Sequence, residues 1–185
     1  GGGAFGNGYN ITITGGKITA TGGKQAAGIG GGNEGTGSNI AITGGTVTAN
    51  GGLSTAGIGG GLYSSGSNIT INVTYRIKAD GNNPPVTAIH NDGTDLASSL
   101  AQKCYVSVYP DPYLNERTAA YAAINAAIEG IAEEHILAIA ATAKENVFIA
   151  DKAKDIDAAK EKALADLQIL IAIYNAAKAE GLGSL

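Results

Sequence analysis

The sequence predicts a β + α chain of two domains, a parallel β-helix (a β-solenoid of 29-residue coils) over residues 1–113 and a three-helix bundle over residues 114–185. Three observations lead there. The segments GGGAFGNGYNITIT, GGGNEGTGSNIAIT and GGGLYSSGSNITIN begin at Gly1, Gly30 and Gly59 and align without a gap, a strict period of 29 residues. Of the 29 glycines, 26 lie in residues 1–110, and the chain after Pro112 is rich in alanine and charge. Apolar residues alternate with small polar ones in the first part and fall at helical spacing in the second, so two folding logics share one chain.

Within one repeat, Ile11–Thr14, Lys17–Thr21 and Ala26–Ile29 carry the period-2 pattern of strands. Ile11, Ile13, Ile18, Ala20, Ala27 and Ile29 are expected to face inward, and so are Ile40, Ile42, Val47, Ala49, Ala56 and Ile58 one repeat on. Gly15-Gly16, Gly22-Gly23 and Gly30-Gly31-Gly32 fall between the strands, where bends favour glycine, and are read as corners. Stacking at the strand spacing of ~4.8 Å then builds continuous apolar columns. Asn10, Asn39 and Asn68 fall at one bend and are expected to form a structural amide ladder. Because Gly1 lies inside a repeat, further coils are expected upstream.

The third repeat drifts after Asn72. Val73-Thr74-Tyr75-Arg76 stands where a Gly-Gly corner is due, and Pro84-Pro85 follows. Residues 73–113 are therefore expected to cap the stack, with Cys104–Tyr109 as a last strand whose Val106 and Val108 point inward. Beyond Pro110-Asp111-Pro112, Tyr121, Ile124, Ile128 and Ile131 mark one helical face. Ile136, Ala140, Ala143 and Val147 mark a second, and Ile156, Ala163, Leu167, Leu170 and Tyr174 a third. Helices are placed near 114–129, 133–149 and 155–180, with Gly130 separating the first two, Asp151 or Asp155 capping the third and Gly181 stopping it. Short connections favour antiparallel neighbours. Glu145, Lys152, Lys160 and Glu161 read as a solvated face.

Charge narrows the function classes. Residues 1–110 carry five Lys/Arg against four Asp/Glu, and residues 111–185 seven against twelve, for a net charge of −4. No basic cluster marks a nucleic-acid or anionic-membrane surface, and the longest apolar stretch, Ile169 to Tyr174, is far shorter than a membrane span. Cys104 is the sole cysteine, which rules out an intrachain disulfide, and it reads as a small buried apolar residue. His90 and Asp92 lie in a His-Asn-Asp-Gly turn without a third partner.

Other chemistries fail a physical requirement. Gly28-Ile29-Gly30-Gly31-Gly32 has no following helix to present N–H groups to a phosphate, and Gly22-Gly23-Lys24-Gln25 lacks the hydroxyl residue after its lysine. Calcium-binding rolls need an aspartate in each turn, and the first two repeats hold none. The clustered carboxylates of glycosidases are missing there too, so no enzyme, cofactor or metal site is expected. What remains is an outward face of small hydroxyls and amides. Its columns are Thr14/Thr43/Asn72, Thr19/Thr48 and Thr21/Asn50, with Thr12 and Thr70 flanking Ala41. Such a face suits a sugar polymer or ordered water, or is a plain solvated β-surface. Tyr63 and Phe5, in the loop after each Gly-Gly-Gly, are candidate stacking platforms in a chain without Trp.

The motif N-I-T-I-T-G-G-x-[IV]-T-A-x-G-G followed by A-G-I-G-G-G, at 10–32 and 39–61, resembles the glycine-rich repeats of large surface proteins of Gram-positive bacteria. The resemblance covers about half the chain. The helical part, with Ala158-Ala-Lys-Glu-Lys-Ala-Leu-Ala165, is similar to small three-helix modules that serve as spacers or host-protein binders in such proteins. This implies an extracellular, adhesin-like parent at the bacterial cell surface. The partners it implies are a polysaccharide, a host surface protein or further repeats of the same chain. It carries over no functional residue.

Overall fold

The computed structural model describes residues 3–180, and the chain divides between Asp111 and Pro112 into two compact units. In the first, the elements in chain order are β1 (Gly8–Thr21), β2 (Ile29–Gly30), β3 (Gly37–Asn50), β4 (Ile58–Gly59), β5 (Gly66–Ile71), β6 (Tyr75–Asp80), β7 (Ala88–Ile89), a short helix α1 (Ala97–Leu100) and β8 (Tyr105–Pro110). β1 pairs with β3, β3 with β5, and β2 with β4, all parallel and in the 29-residue register, as in Ile11↔Ile40↔Ile69 and Ile29↔Ile58. Ile40, Ile42, Val47, Ala49, Ile58, Ile69 and Ile71 are buried in one apolar core. Ile11, Ile18 and Ala20 of the edge strand β1 are half-buried against it.

Three expectations need correction. Gly15-Gly16 is not a corner: β1 and β3 each run unbroken for 14 residues, and the glycines form an irregularity within them. The register shifts there, and positive φ at Gly16 (86°) and Gly45 (89°) absorbs the kink without ending the ladder. Second, Ala26–Ile29 is not a strand as drawn, because Ala26 N–H donates to Gly23 O and Ala27 N–H to Gly31 O, two turn bonds that leave only Ile29–Gly30 extended. Third, the sheet is mixed and open. β8 lies antiparallel to both β3 and β6, giving the order β1-β3-β8-β6-β7. β6 runs in the direction of the stacked strands, and after α1 the chain comes back as β8, which inserts in reverse between β3 and β6. Val106 and Val108 are fully buried, whereas Cys104 is half-buried and contributes its backbone carbonyl.

Close approach of successive repeats explains the glycine content. A Cβ at Gly61 would lie 1.8 Å from Gly32 O, and one at Gly30 (φ +132°) would lie 2.0 Å from Gly59 O. No side chain fits between backbones at that spacing.

The third repeat is closed by residues that the periodicity does not announce. The Asp95 carboxylate accepts the N–H groups of Asn68 (2.8 Å) and Ile69 (2.7 Å), and buried Leu96 and Leu100 cover the apolar end. The N–H of Ile69, with those of Ala97 and Asn68, holds the Asp95 carboxyl below the usual carboxylate range, against the opposing effect of burial. Asp80 and Asp92 are held low in the same segment by the hydroxyls of Thr87 and Thr94.

The second unit contains α2 (Leu114–Ala127), α3 (Glu134–Ile149) and α4 (Ala153–Ala179), packed around Ala120, Ile124, Ile136, Ala140, Ala143, Val147, Ile156, Ala163 and Leu167. Gly130 sits between α2 and α3 at φ +76°. The predicted aspartate cap of the last helix is not made: its N-cap is Lys152, without a side-chain bond, and Asp155 lies in the first turn. Gly181, predicted to stop that helix, lies outside the described residues. Arg117 is buried, and its guanidinium donates to the carbonyls of Val147, Phe148 (2.9 Å) and Ala150 at the end of α3. The fork supplies donors where the helix has run out of them. Among the described residues no helix is long and apolar enough to cross a membrane.

Two outcomes follow. Asp95→Ala lowers the stability of the first unit by about 1 kcal/mol, the scale of a lost cap at a solvated site. Because the folded-state pKa of Asp95 is depressed, its contribution is complete above the unfolded value of about 4 and is lost as pH falls through the folded value. Urea melts of wild type and variant therefore converge in acid, and an undiminished gap there refutes the capping role. Arg117→Met costs the helical unit roughly 2–3 kcal/mol, the scale of buried charge-assisted bonds. Arg117→Lys recovers less than half of it, as followed by helical circular dichroism, since one ammonium cannot reproduce the fork.

Candidate functional site

The site residues singled out in the sequence sort into four places. At the first bend, Asn39 Nδ2 donates to Asn10 Oδ1 at 3.0 Å and Asn68 Nδ2 to Asn39 Oδ1 at 2.8 Å. All three residues adopt left-handed backbone, with φ of 57°, 53° and 49°. Asparagine serves twice here, since it tolerates that conformation and its amide both donates and accepts along the stack.

Thr12, Ala41 and Thr70 align across β1, β3 and β5 as one row. Thr19 and Thr48 align in a second, which β8 and β6 extend through Ser107 and Lys78. The neighbouring row is Thr21, Asn50, Tyr105 and Asp80. With Val106 and Val108 inward, strand alternation turns Tyr105, Ser107 and Tyr109 to the outer face. Sequence reasoning had used only the inward half of that alternation. Asp80 is engaged with Thr87 Oγ1 (2.9 Å) and the N–H of Gly81 (2.9 Å).

The predicted column Thr14/Thr43/Asn72 consists of exposed residues but is not in ladder register. Thr14 pairs with Gly44 because of the register shift, and Thr43 Oγ1 donates to Ile13 O at 3.3 Å. Asn72 lies past the end of β5, where its Oδ1 accepts the N–H (3.0 Å) and the hydroxyl (2.9 Å) of Thr74. Thr43 thus ties one repeat to the preceding one, and Asn72 holds its own turn together. Tyr63 and Phe5 occupy one repeat position with Glu34 between them, all three at positive φ, and their rings are 84% and 70% exposed. Glu34 interrupts any continuous aromatic platform.

Thr55, unremarked in the sequence, is buried and donates to Ala26 O (3.0 Å), tying one repeat to the next. In the turn after β7, Asp92 Oδ1 accepts the hydroxyl of Thr94 at 2.6 Å. Among the described residues no three His, Cys, Asp or Glu side chains come together in a group able to hold a metal ion.

A protein-family model described as a β-helix repeat matches residues 11–33 and 40–62. Both matched stretches start just after the left-handed asparagine and end within the loop that follows the triple glycine. No curated protein and no solved structure matches the chain.

The amide ladder makes a two-part prediction. Asn39→Gly keeps the left-handed bend accessible and removes two ladder bonds, for a cost of about 1 kcal/mol. Asn39→Ala adds left-handed strain of about 1 kcal/mol more. The same pair at Asn10, which makes one ladder bond at nearly the same φ, costs less in the first step and about the same in the second. Equal denaturation midpoints for the glycine and alanine variants would remove the backbone half of the argument.

Proposed function

We propose that the chain is a non-catalytic structural and adhesive segment of a large extracellular protein of the bacterial surface. In this reading the repeats within residues 1–113 are a length of parallel β-helix from a rod, closed here by the mixed strands after Asn72, and residues 114–185 are a three-helix bundle that spaces or presents what lies beside it. The observation that carries it is the stacking: backbone of each repeat donates directly to backbone of the next, as in Gly22 N–H to Asn50 O (2.8 Å), Ile29 N–H to Gly57 O (2.9 Å) and Gly31 N–H to Gly59 O (2.9 Å). Such an arrangement propagates by repetition, is held along its length, and suits bearing and displaying better than chemistry. The β-helix repeat match at 11–33 and 40–62 supports it.

A second reading is favoured by one observation. The Thr19–Thr48–Ser107 row places hydroxyls at strand spacing beside the Tyr105 ring, a combination of polar edge and apolar face that suits a neutral polysaccharide. One experiment separates the two. The intact chain is passed over a polysaccharide and glycan panel, and the products are assayed for cleavage. The scaffold reading expects neither retention nor turnover. Retention lost in Thr48→Val with unchanged thermal unfolding establishes the carbohydrate reading, and turnover of any glycan overturns both.

A further inference from the structure

A segment outside the repeats takes the place of the next repeat along much of the free side. It stands in for the rest of the third repeat beside the second, and for a fourth beside the start of the third. Asp95 takes the N–H groups of Asn68 and Ile69, and Leu96 N–H donates to Ile69 O at 2.8 Å. Cys104 O accepts Gly51 N–H (2.6 Å), as Asn50 O accepts Gly22 N–H one repeat earlier, and Lys103 O accepts Gly57 N–H (2.7 Å). The replacement skips β4, whose one strand neighbour among the described residues is β2. In that pair Ile29 and Gly31 donate forward to Gly57 O and Gly59 O. The groups at the same repeat positions one unit on, the N–H of Ile58 and Gly60, face away from β2 and meet no acceptor among the described residues.

Below them lies a groove of about 200 Å³, walled on one side by Ile58, Gly60 and Ser65 and on the other by Ala97, Ala101 and Gln102. None of its lining residues is charged. The fit of a strand here is visible in the glycines. A Cβ on Gly30 would strike Gly59 O at 2.0 Å, whereas one on Gly59 would meet nothing nearer than Ala56 Cβ at 3.4 Å. The place that β4 fills beside β2 is thus open beside β4. At roughly 30 Å³ for a water-sized group, the groove admits six or seven such groups, more than one glycine residue.

We propose that this groove is a strand-addition site that takes a short, neutral, extended peptide parallel to β4, with glycine directly after a central aliphatic residue. The donors of Ile58 and Gly60 and the carbonyl of Ile58 supply the main-chain pairing, continuing the β2–β4 register by one strand. Glycine is required after the aliphatic residue because that repeat position takes φ of +132° at Gly30 and +134° at Gly59, a conformation that L side chains rarely adopt. The absence of charge in the lining selects an uncharged segment. The site does not depend on the scaffold reading, since it arises from how the third repeat is closed.

The test is amide hydrogen exchange of the isotope-labelled intact chain with and without the capped peptide Ala-Gly-Ile-Gly-Gly-Gly. Exchange at Ile58 and Gly60 slows at least tenfold at saturating peptide, while Ile29 and Gly31, already paired, stay unchanged. Ala101→Trp fills the groove and removes the protection with the circular dichroism unaltered. The control peptide Ala-Ala-Ile-Ala-Ala-Ala gives no protection. Unchanged exchange at Ile58 and Gly60 with millimolar glycine peptide overturns the proposal. So does equal protection by the alanine peptide, by a neutral oligosaccharide, or in a folded Ala101→Trp chain.

Discussion

The distance between successive repeats governs the first unit. Backbones stack at the parallel-strand spacing, so at the closest points nothing larger than hydrogen fits between them. Gly61 over Gly32 O at a would-be 1.8 Å shows how little slack there is. Main-chain groups trapped between repeats find their partners within their own turn or one repeat away. Thr55 reaching Ala26 O by its hydroxyl and Ile29 reaching Gly57 O by main chain are two such bonds, and at the exposed bend Asn39 reaches Asn10 by its amide. The period of 29 residues is the sequence image of this condition: a repeat that changed its bends would lose register with both neighbours at once.

That condition also explains what the sequence disclosed. Inside the array each residue faces its own equivalent, so a pattern along the chain is a pattern in space, and the Ile11/Ile40/Ile69 column and the asparagine ladder are both visible in the letters. Gly15-Gly16 was legible as a backbone irregularity but not as its kind. Positive φ serves a corner and a bulge equally, and only the continuous pairing of Lys17–Thr21 with Thr46–Asn50 distinguishes them. The threonine face was half legible. Alternation along β1 and β3 gave its first two strands, but the antiparallel return of β8, which adds Ser107 and Tyr105, is a contact across more than fifty residues that no local pattern encodes. Thr43 and Asn72 are exposed as the same alternation expects, but Thr43 bonds back to Ile13 O of the preceding repeat and Asn72 to its own turn, contacts that the alternation does not encode.

The two units meet one problem with opposite charges. At the end of the array, N–H groups are left without carbonyls, and an anion, Asp95, supplies the acceptors. At the end of α3, carbonyls are left without N–H groups, and a cation, Arg117, supplies the donors from α2. In both cases a charged side chain finishes a backbone pattern that the chain stops propagating, and the local field favours its sign. Neither is visible from periodicity, because each acts where periodicity ends. Arg117 is buried for this reason, although a lone arginine on an alanine-rich helix reads as solvent-facing.

A surface made this way constrains what it can recognise. Its rows are fixed by strand spacing in one direction and by the two-residue alternation in the other, so it offers a lattice of similar groups in place of a pocket of different ones. Each hydroxyl of the Thr19–Thr48–Ser107 row contributes a solvent-exposed bond worth little alone. Appreciable affinity therefore arises only for a partner that is itself periodic and meets many groups together. The groove beside β4 is the exception, because there the lattice stops and unpaired main chain is walled in by α1. On the proposed readings, repetition serves bearing and display, and the selective site lies where the repetition is interrupted.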